Sequence, residues 1–128
     1  LLLRYSLPDL ADSTLDQLQE LADEMQEGTN IERFLQLDRE FHLLSYSGAG
    51  TLVLGDMVQR LWNSTQHYRR AFTLVAGPIG NRAVHYEHQL LVGAMRRRDS
   101  EDAERILVGH IRRTRLELLG HPDLFSRS

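Results

Sequence analysis

The chain has 128 residues, the size of one domain, with 41% hydrophobic residues and fifteen Lys+Arg against eighteen Asp+Glu, a net charge of −3. That balance excludes a strongly basic nucleic-acid-binding surface, which needs net positive charge or a dense basic stripe. The lack of cysteine excludes disulfide scaffolds, thiolate metal sites and cysteine nucleophiles. No apolar run approaches the roughly 20 residues that span a bilayer, and no signal or transit sequence is visible. A single soluble, cytoplasmic domain over residues 1–128 is therefore expected.

Glycine, proline and cap residues divide the chain into helical rather than alternating segments. Residues 1–12, with Leu1, Leu2, Leu3 and Tyr5, are expected to be the end of a truncated helix or a linker. The first complete helix is predicted from about Ser13 to Met25, with Leu15, Leu18, Leu21, Ala22 and Met25 on one stripe. Ser13 and Asp16 form a capping pair at its start, and Gly28 ends it. Thr29, three residues before Glu32, opens a second helix that runs to about Ser45, and Gly48-Ala49-Gly50 closes it. A long third helix, from about Thr51 to Val75, carries the single tryptophan, Trp62. Gly77-Pro78-Ile79-Gly80 reads as a loop. A fourth helix spans about Asn81 to Arg97. A fifth, capped by Asp99 or Ser100, reaches Leu119 before Gly120 and Pro122. Short connections between such helices predict an all-α antiparallel bundle.

Polar residues interrupt three of the apolar stripes. In the second helix the inward face is Ile31, Phe34, Leu35, Asp38, Phe41, His42 and Ser45, with Asp38 and His42 one turn apart. The fourth helix puts His88 among Val84, Leu91, Val92 and Met95. The fifth puts His110 among Ala103, Ile106, Leu107, Thr114 and Leu118. An unpaired buried carboxylate is costly, so Asp38 needs a cation or several donors. One divalent metal held by Asp38, His42, His88 and His110 would satisfy all four groups, at a formal charge of about +1. The competing reading is an Asp38–His42 charge pair with two unrelated core histidines. An octahedral ion would keep positions open for water or a chelating anion, which points to a pocket for a small carboxylate.

Glu-x-x-His pairs and His-Glu-x-x-His are missing, which argues against di-iron bundles and zincin proteases. His85 lies beside the His88 stripe, either as a supporting donor or facing solvent. Arg69 and Arg70 are the candidates to receive a ligand carboxylate, since guanidinium offers paired donors, and His85 is the third candidate contact for the effector. His67 and His121 are expected at the surface, as are Arg96–Arg98, Arg112, Arg113 and Arg115. The glycines from Gly48 to Gly55 follow no strand and are not a phosphate loop. Two readings stand beside metal-dependent sensing. One is a mononuclear metal-dependent hydrolase or transferase using the same ligands, for which His85 and Glu87 are the nearby general bases. The other is a metal-free interaction bundle.

The string Leu37-Asp38-Arg39-Glu40-Phe41-His42, then Ser47-Gly48, Glu87-His88, Leu90-Leu91, Ala94, Asp99, Ala103 and finally His110 resembles the FCD domain. This is the C-terminal effector-binding domain of FadR-type regulators in the GntR superfamily. The resemblance spans about residues 13–118. It implies a bundle of six or seven helices, the first partly missing, with a divalent metal, commonly zinc and sometimes nickel or manganese, on Asp38, His42, His88 and His110. It further implies a small organic acid as effector, no enzymatic activity and no membrane, and a homodimeric bacterial transcription factor. Operator DNA would be contacted only through an N-terminal winged helix-turn-helix domain absent from this chain. Many members carry Asn where this chain has Ala49.

Overall fold

The computed structural model describes residues 2–49 and 52–120, and within them the side chains other than those of 2, 5, 52–55, 75–81 and 118. The described residues form α1 (Leu2–Ser6), α2 (Asp12–Glu27), α3 (Ile31–Ser45), α4 (Leu52–Ser64), α5 (Gln66–Arg96) and α6 (Ser100–Leu119). Two 3-10 turns, Leu7–Asp9 and Ser47–Ala49, lie between them, and no strand occurs among the described residues. The fold is the expected all-α bundle.

Helix α5 packs along α6 and α2, and α2 also packs on α3. The buried stripes are largely those that spacing selects: Leu15, Leu18, Ala22 and Met25 on α2, Phe34, Leu35, Leu37 and Phe41 on α3, Val84, Leu91, Val92 and Met95 on α5, and Ala103 and Leu107 on α6. The N-terminal leucines belong to this core. Leu3, Leu7 and Leu10 are buried as α1 packs on α6 and on the 3-10 turn Ser47–Ala49. Ser6 joins these parts: its hydroxyl donates to the Ser45 carbonyl at 2.6 Å and accepts from the Gly48 amide at 2.9 Å. A Cβ at Gly48 would collide with the Ser6 carbonyl oxygen, so the glycine is required by this close approach.

Helix ends differ in detail from the expectations. Asn30, rather than Thr29, caps α3, its side chain accepting from the Arg33 amide at 2.9 Å. Helix α2 starts at Asp12 after Ala11, and its N-cap makes no side-chain bond. Asp99 accepts from the Asp102 amide at 3.0 Å at the start of α6. Arg98, in the tight α5–α6 connection, has φ 56°, a left-handed value uncommon away from glycine. Its guanidinium bonds the Leu7 carbonyl at 2.8 Å and Asp12 at 3.0 Å, which ties that strained turn to the N-terminal segment.

The larger correction concerns the middle of the chain. The break falls at Thr65, and Gly77-Pro78-Ile79-Gly80 lies inside the continuous helix α5 instead of forming a loop. Ser64 and Thr65 both turn their hydroxyls back to the Leu61 carbonyl, at 3.1 and 2.7 Å. These bonds share the Leu61 carbonyl with the Thr65 amide, a local bonding pattern that favours a bend where α4 ends. Proline and glycine lower helix propensity without forbidding a helix whose flanks are packed in a bundle. The expectations for His121 and Pro122 fall outside the described residues.

Candidate functional site

Three helices bring the predicted polar residues to one point. Asp38 and His42 project from the same face of α3, one turn apart, while His88 comes from α5 and His110 from α6. One ligand nitrogen from each of His42, His88 and His110 lies within 4.8 Å of the others. Asp38 Oδ1 sits 3.3 Å from His42 Nε2 and 3.1 Å from His88 Nε2. The three rings pack at centroid distances of 5.3–5.5 Å, and Phe41 lies 4.9 Å from His88. The three histidines therefore converge, and Asp38 joins them through His42 and His88, although His42 and His110 stand 68 positions apart in the chain.

The electrostatics match a site that prefers a cation. Burial would raise the Asp38 carboxyl, but the close imidazoles of His42 and then His88 hold it well below the usual range. Burial drives His88 downward despite Asp38, which favours the neutral imidazole, whose one unprotonated ring nitrogen can donate an electron pair. His88 is only 1% exposed, and its Nε2 has no aligned hydrogen-bond partner even though the Asp38 oxygen is close. Two donors each about 2.1 Å from one ion stand about 3.0 Å apart at a right angle and about 3.4 Å apart at the tetrahedral angle. The two Asp38 separations fall in that interval, so Asp38, His42 and His88 are spaced as donors to one divalent ion are, and the grouped nitrogens of His42, His88 and His110 suit such an ion as well.

Glu87, which the sequence offers only as a general base in the enzymatic reading, and Arg113, expected at the surface, support the site from behind. His110 Nδ1 lies 3.1 Å from Glu87 Oε1, and Arg113 bridges both Glu87 oxygens through Nε at 3.1 and 3.2 Å. A carboxylate on Nδ1 fixes the tautomer and leaves Nε2 of His110 as the coordinating nitrogen. Burial alone would raise the Glu87 carboxyl, but His110 and Arg113 bring it down to about 2. Arg113 was expected at the surface, and its position follows from α5–α6 register, which no stripe on either helix encodes.

Beside the donor cluster lies a cavity of about 600 Å³, lined among others by Phe34, Asp38, His42, Trp62, Phe72 and His110. Trp62 stacks on His42 at 5.0 Å, and His42 on His110 at 5.5 Å. The Arg69 guanidinium lies 3.9 Å from the Trp62 ring centroid and also bonds Thr65 Oγ1 at 2.8 Å and the Trp62 carbonyl. Burial lowers Arg69 somewhat, with Asp38 opposing, and a guanidinium keeps its charge. Tyr46 lines the same cavity, its phenol pushed up to about 12 by burial and then by Asp38, so it stays a proton donor at neutral pH.

The remaining candidates lie elsewhere. Arg70 is exposed and pairs with Glu32 across α5 and α3. His85 stands edge-on to Phe34 at 5.8 Å and lines a second, smaller hollow with Gln26, Arg82 and Tyr86. His67 is exposed beside Tyr68. Of the three residues expected near a ligand carboxylate, only Arg69 reaches the cavity. Trp62 was visible in the sequence, but its contact with His42 depends on the unforeseen break at Thr65.

A helical bundle with a ligand-sized cavity floored by a carboxylate and imidazoles, and with no helix among the described residues long and apolar enough to cross a membrane, has the build of a small-molecule-binding domain. The family model of the FCD domain matches residues 1–113, and the chain belongs to that family. FCD domains are the effector-binding domains of GntR-type transcriptional regulators, a regulatory rather than a catalytic family. No match was found among curated proteins or solved structures.

Proposed function

We propose that this domain senses a carboxylate effector at a divalent cation held by Asp38, His42, His88 and His110. The observation that carries this reading is the pair of 3.1 and 3.3 Å separations between Asp38 Oδ1 and two imidazole nitrogens, one of which has no aligned hydrogen-bond partner. A bound divalent ion, zinc in the first instance, supplies a positive centre for an anionic oxygen. The protein's own groups do the rest. Asp38 offsets part of the charge, Glu87 holds the His110 ring, and Arg69 offers a charge-assisted donor in the wall of the cavity. Because the four ligands come from α3, α5 and α6, effector binding would favour one relative placement of these helices. In a homodimeric cytoplasmic regulator that bias would reach operator DNA through an N-terminal winged helix-turn-helix domain.

The test is metal content. Protein purified without chelator and dialysed is expected to retain one equivalent of zinc or a similar divalent ion. Asp38→Ala and His88→Gln should lose it while keeping a helical circular-dichroism spectrum, and His67→Ala should retain it. Stoichiometric metal in the Asp38 and His88 variants, or none in the parent protein, overturns the proposal in favour of a buried hydrogen-bonded Asp38–His cluster.

A further inference from the structure

We infer that the effector is an amphipathic monocarboxylic acid, one with a sizeable aromatic or aliphatic body, and not a small polyhydroxy or polycarboxylic acid. This inference rests on the metal-dependent reading above and concerns the rest of the cavity. The polar groups of the wall are concentrated around Asp38, His42 and His110, with the Tyr46 phenol near Asp38 and Arg69 one ring away across Trp62. Beyond them the wall is mainly hydrocarbon and aromatic, formed by Phe34, Phe72, Val84 and Leu107, each at most 9% exposed, with three threonines and the exposed Tyr68 as its other polar members.

The threonines of the wall reinforce this division. Thr65, Thr73 and Thr114 each turn the hydroxyl to a carbonyl one turn earlier on the chain, at 2.7, 2.9 and 3.1 Å. Their hydroxyl protons are thereby engaged and are not available to a ligand. A second carboxylate or a row of hydroxyls would enter this region with few donors to meet it, and burying unmatched polar groups is unfavourable. A hydrocarbon body would instead cover apolar wall.

The rim points the same way. Leu61 on α4 and Ile111 and Leu119 on α6 line the cavity edge while remaining 62%, 56% and 63% exposed. Arg115 reaches the cavity from the exposed side of α6 and stays open to water. At about 600 Å³ the space exceeds what acetate or lactate fills and falls within the range that holds a drug-sized ligand. One charged end at the donor cluster and an apolar body against the far wall and rim use the whole cavity.

The experiment titrates zinc-loaded protein with acetate, butyrate, hexanoate, octanoate and 3-phenylpropanoate, and with citrate, tartrate and octanamide, by calorimetry and Trp62 fluorescence. Affinity is expected to rise along the monocarboxylates, by up to about fourfold per added methylene, with octanoate or 3-phenylpropanoate at least thirtyfold tighter than acetate. Octanamide should bind at least tenfold more weakly than octanoate. The exposed-rim variant Ile111→Gln should weaken octanoate severalfold and leave acetate and zinc content unchanged. A flat series, citrate or tartrate tighter than every monocarboxylate, or no binding by any of the acids overturns the inference. Failure of the underlying reading has another signature: chain-length dependence without bound metal, and with amide and acid equal, removes the carboxylate end as well.

Discussion

Glu87 shows how a residue outside the donor set can govern it. Its carboxylate takes His110 Nδ1 at 3.1 Å and is clamped by Arg113. Glu87→Gln preserves shape and removes the charge that orients and enriches the imidazole. Zinc affinity measured by chelator competition is expected to fall by about 10–100-fold, with the helical content unchanged. The same residue predicts a pH dependence in metal-free protein. Its folded value of about 2 lies below the ordinary 4.5, so its contribution is complete above about pH 4.5 and disappears as pH falls toward 2. Urea unfolding should give parent and Glu87→Gln a stability gap of about 1–2 kcal/mol at pH 6, allowing for the part-exposed carboxylate. That gap should close steadily below pH 4.5, and one that stays constant would assign the effect to packing.

At the scale of the elements, the α4–α5 boundary matters most for the site. The break at Thr65 lets Trp62 from α4 stack on His42 and lets Arg69 from the first turn of α5 lie over Trp62. Had the helix run from Thr51 to Val75 and then opened into a loop, α4 and the first part of α5 would share one axis. Pro78 distinguishes the two arrangements. In the interior of α5 a proline removes a backbone donor and crowds the preceding turn, so Pro78→Ala should stabilise the protein by about 1–3 kcal/mol. In a loop the same change would loosen the unfolded chain and destabilise by a few tenths to about 1 kcal/mol. The sign of the shift in urea midpoint decides between them. The α3 cap was legible only to within a position, Asn30 in place of Thr29, because neighbouring polar residues offer the same oxygen to the same orphan amides, and the Ser13 cap expected for α2 is replaced by Ala11, which makes no side-chain bond.

For the whole molecule, the donor cluster acts as a clasp on the bundle. A cation on Asp38, His42, His88 and His110 would join α3, α5 and α6, whose shared core is otherwise held by apolar packing. Metal bound at about a thousand times its Kd stabilises the folded state by about 4 kcal/mol. For a domain of this size chelation should therefore lower Tm by about 10–20 °C, and zinc should restore it. A Tm indifferent to chelator would leave the helices joined by packing and by ion pairs such as Glu87–Arg113 and Glu32–Arg70.

The sequence by itself determined the helical class, the buried stripes of α2, α3, α5 and α6, and the inward placement of Asp38, His42, His88 and His110. Those features follow from the 3.6-residue period, which fixes which side chains share a face whatever that face meets. It could not determine what lay across from each face. The Glu87–His110–Arg113 contact, the Trp62–His42 stack, the closeness of Gly48 to Ser6 and the separation of Arg69 from Arg70 all depend on how one helix is rotated and shifted against another. Only tertiary packing decides that register, because it is set by the summed fit of many side chains distant in the chain and not by any local spacing.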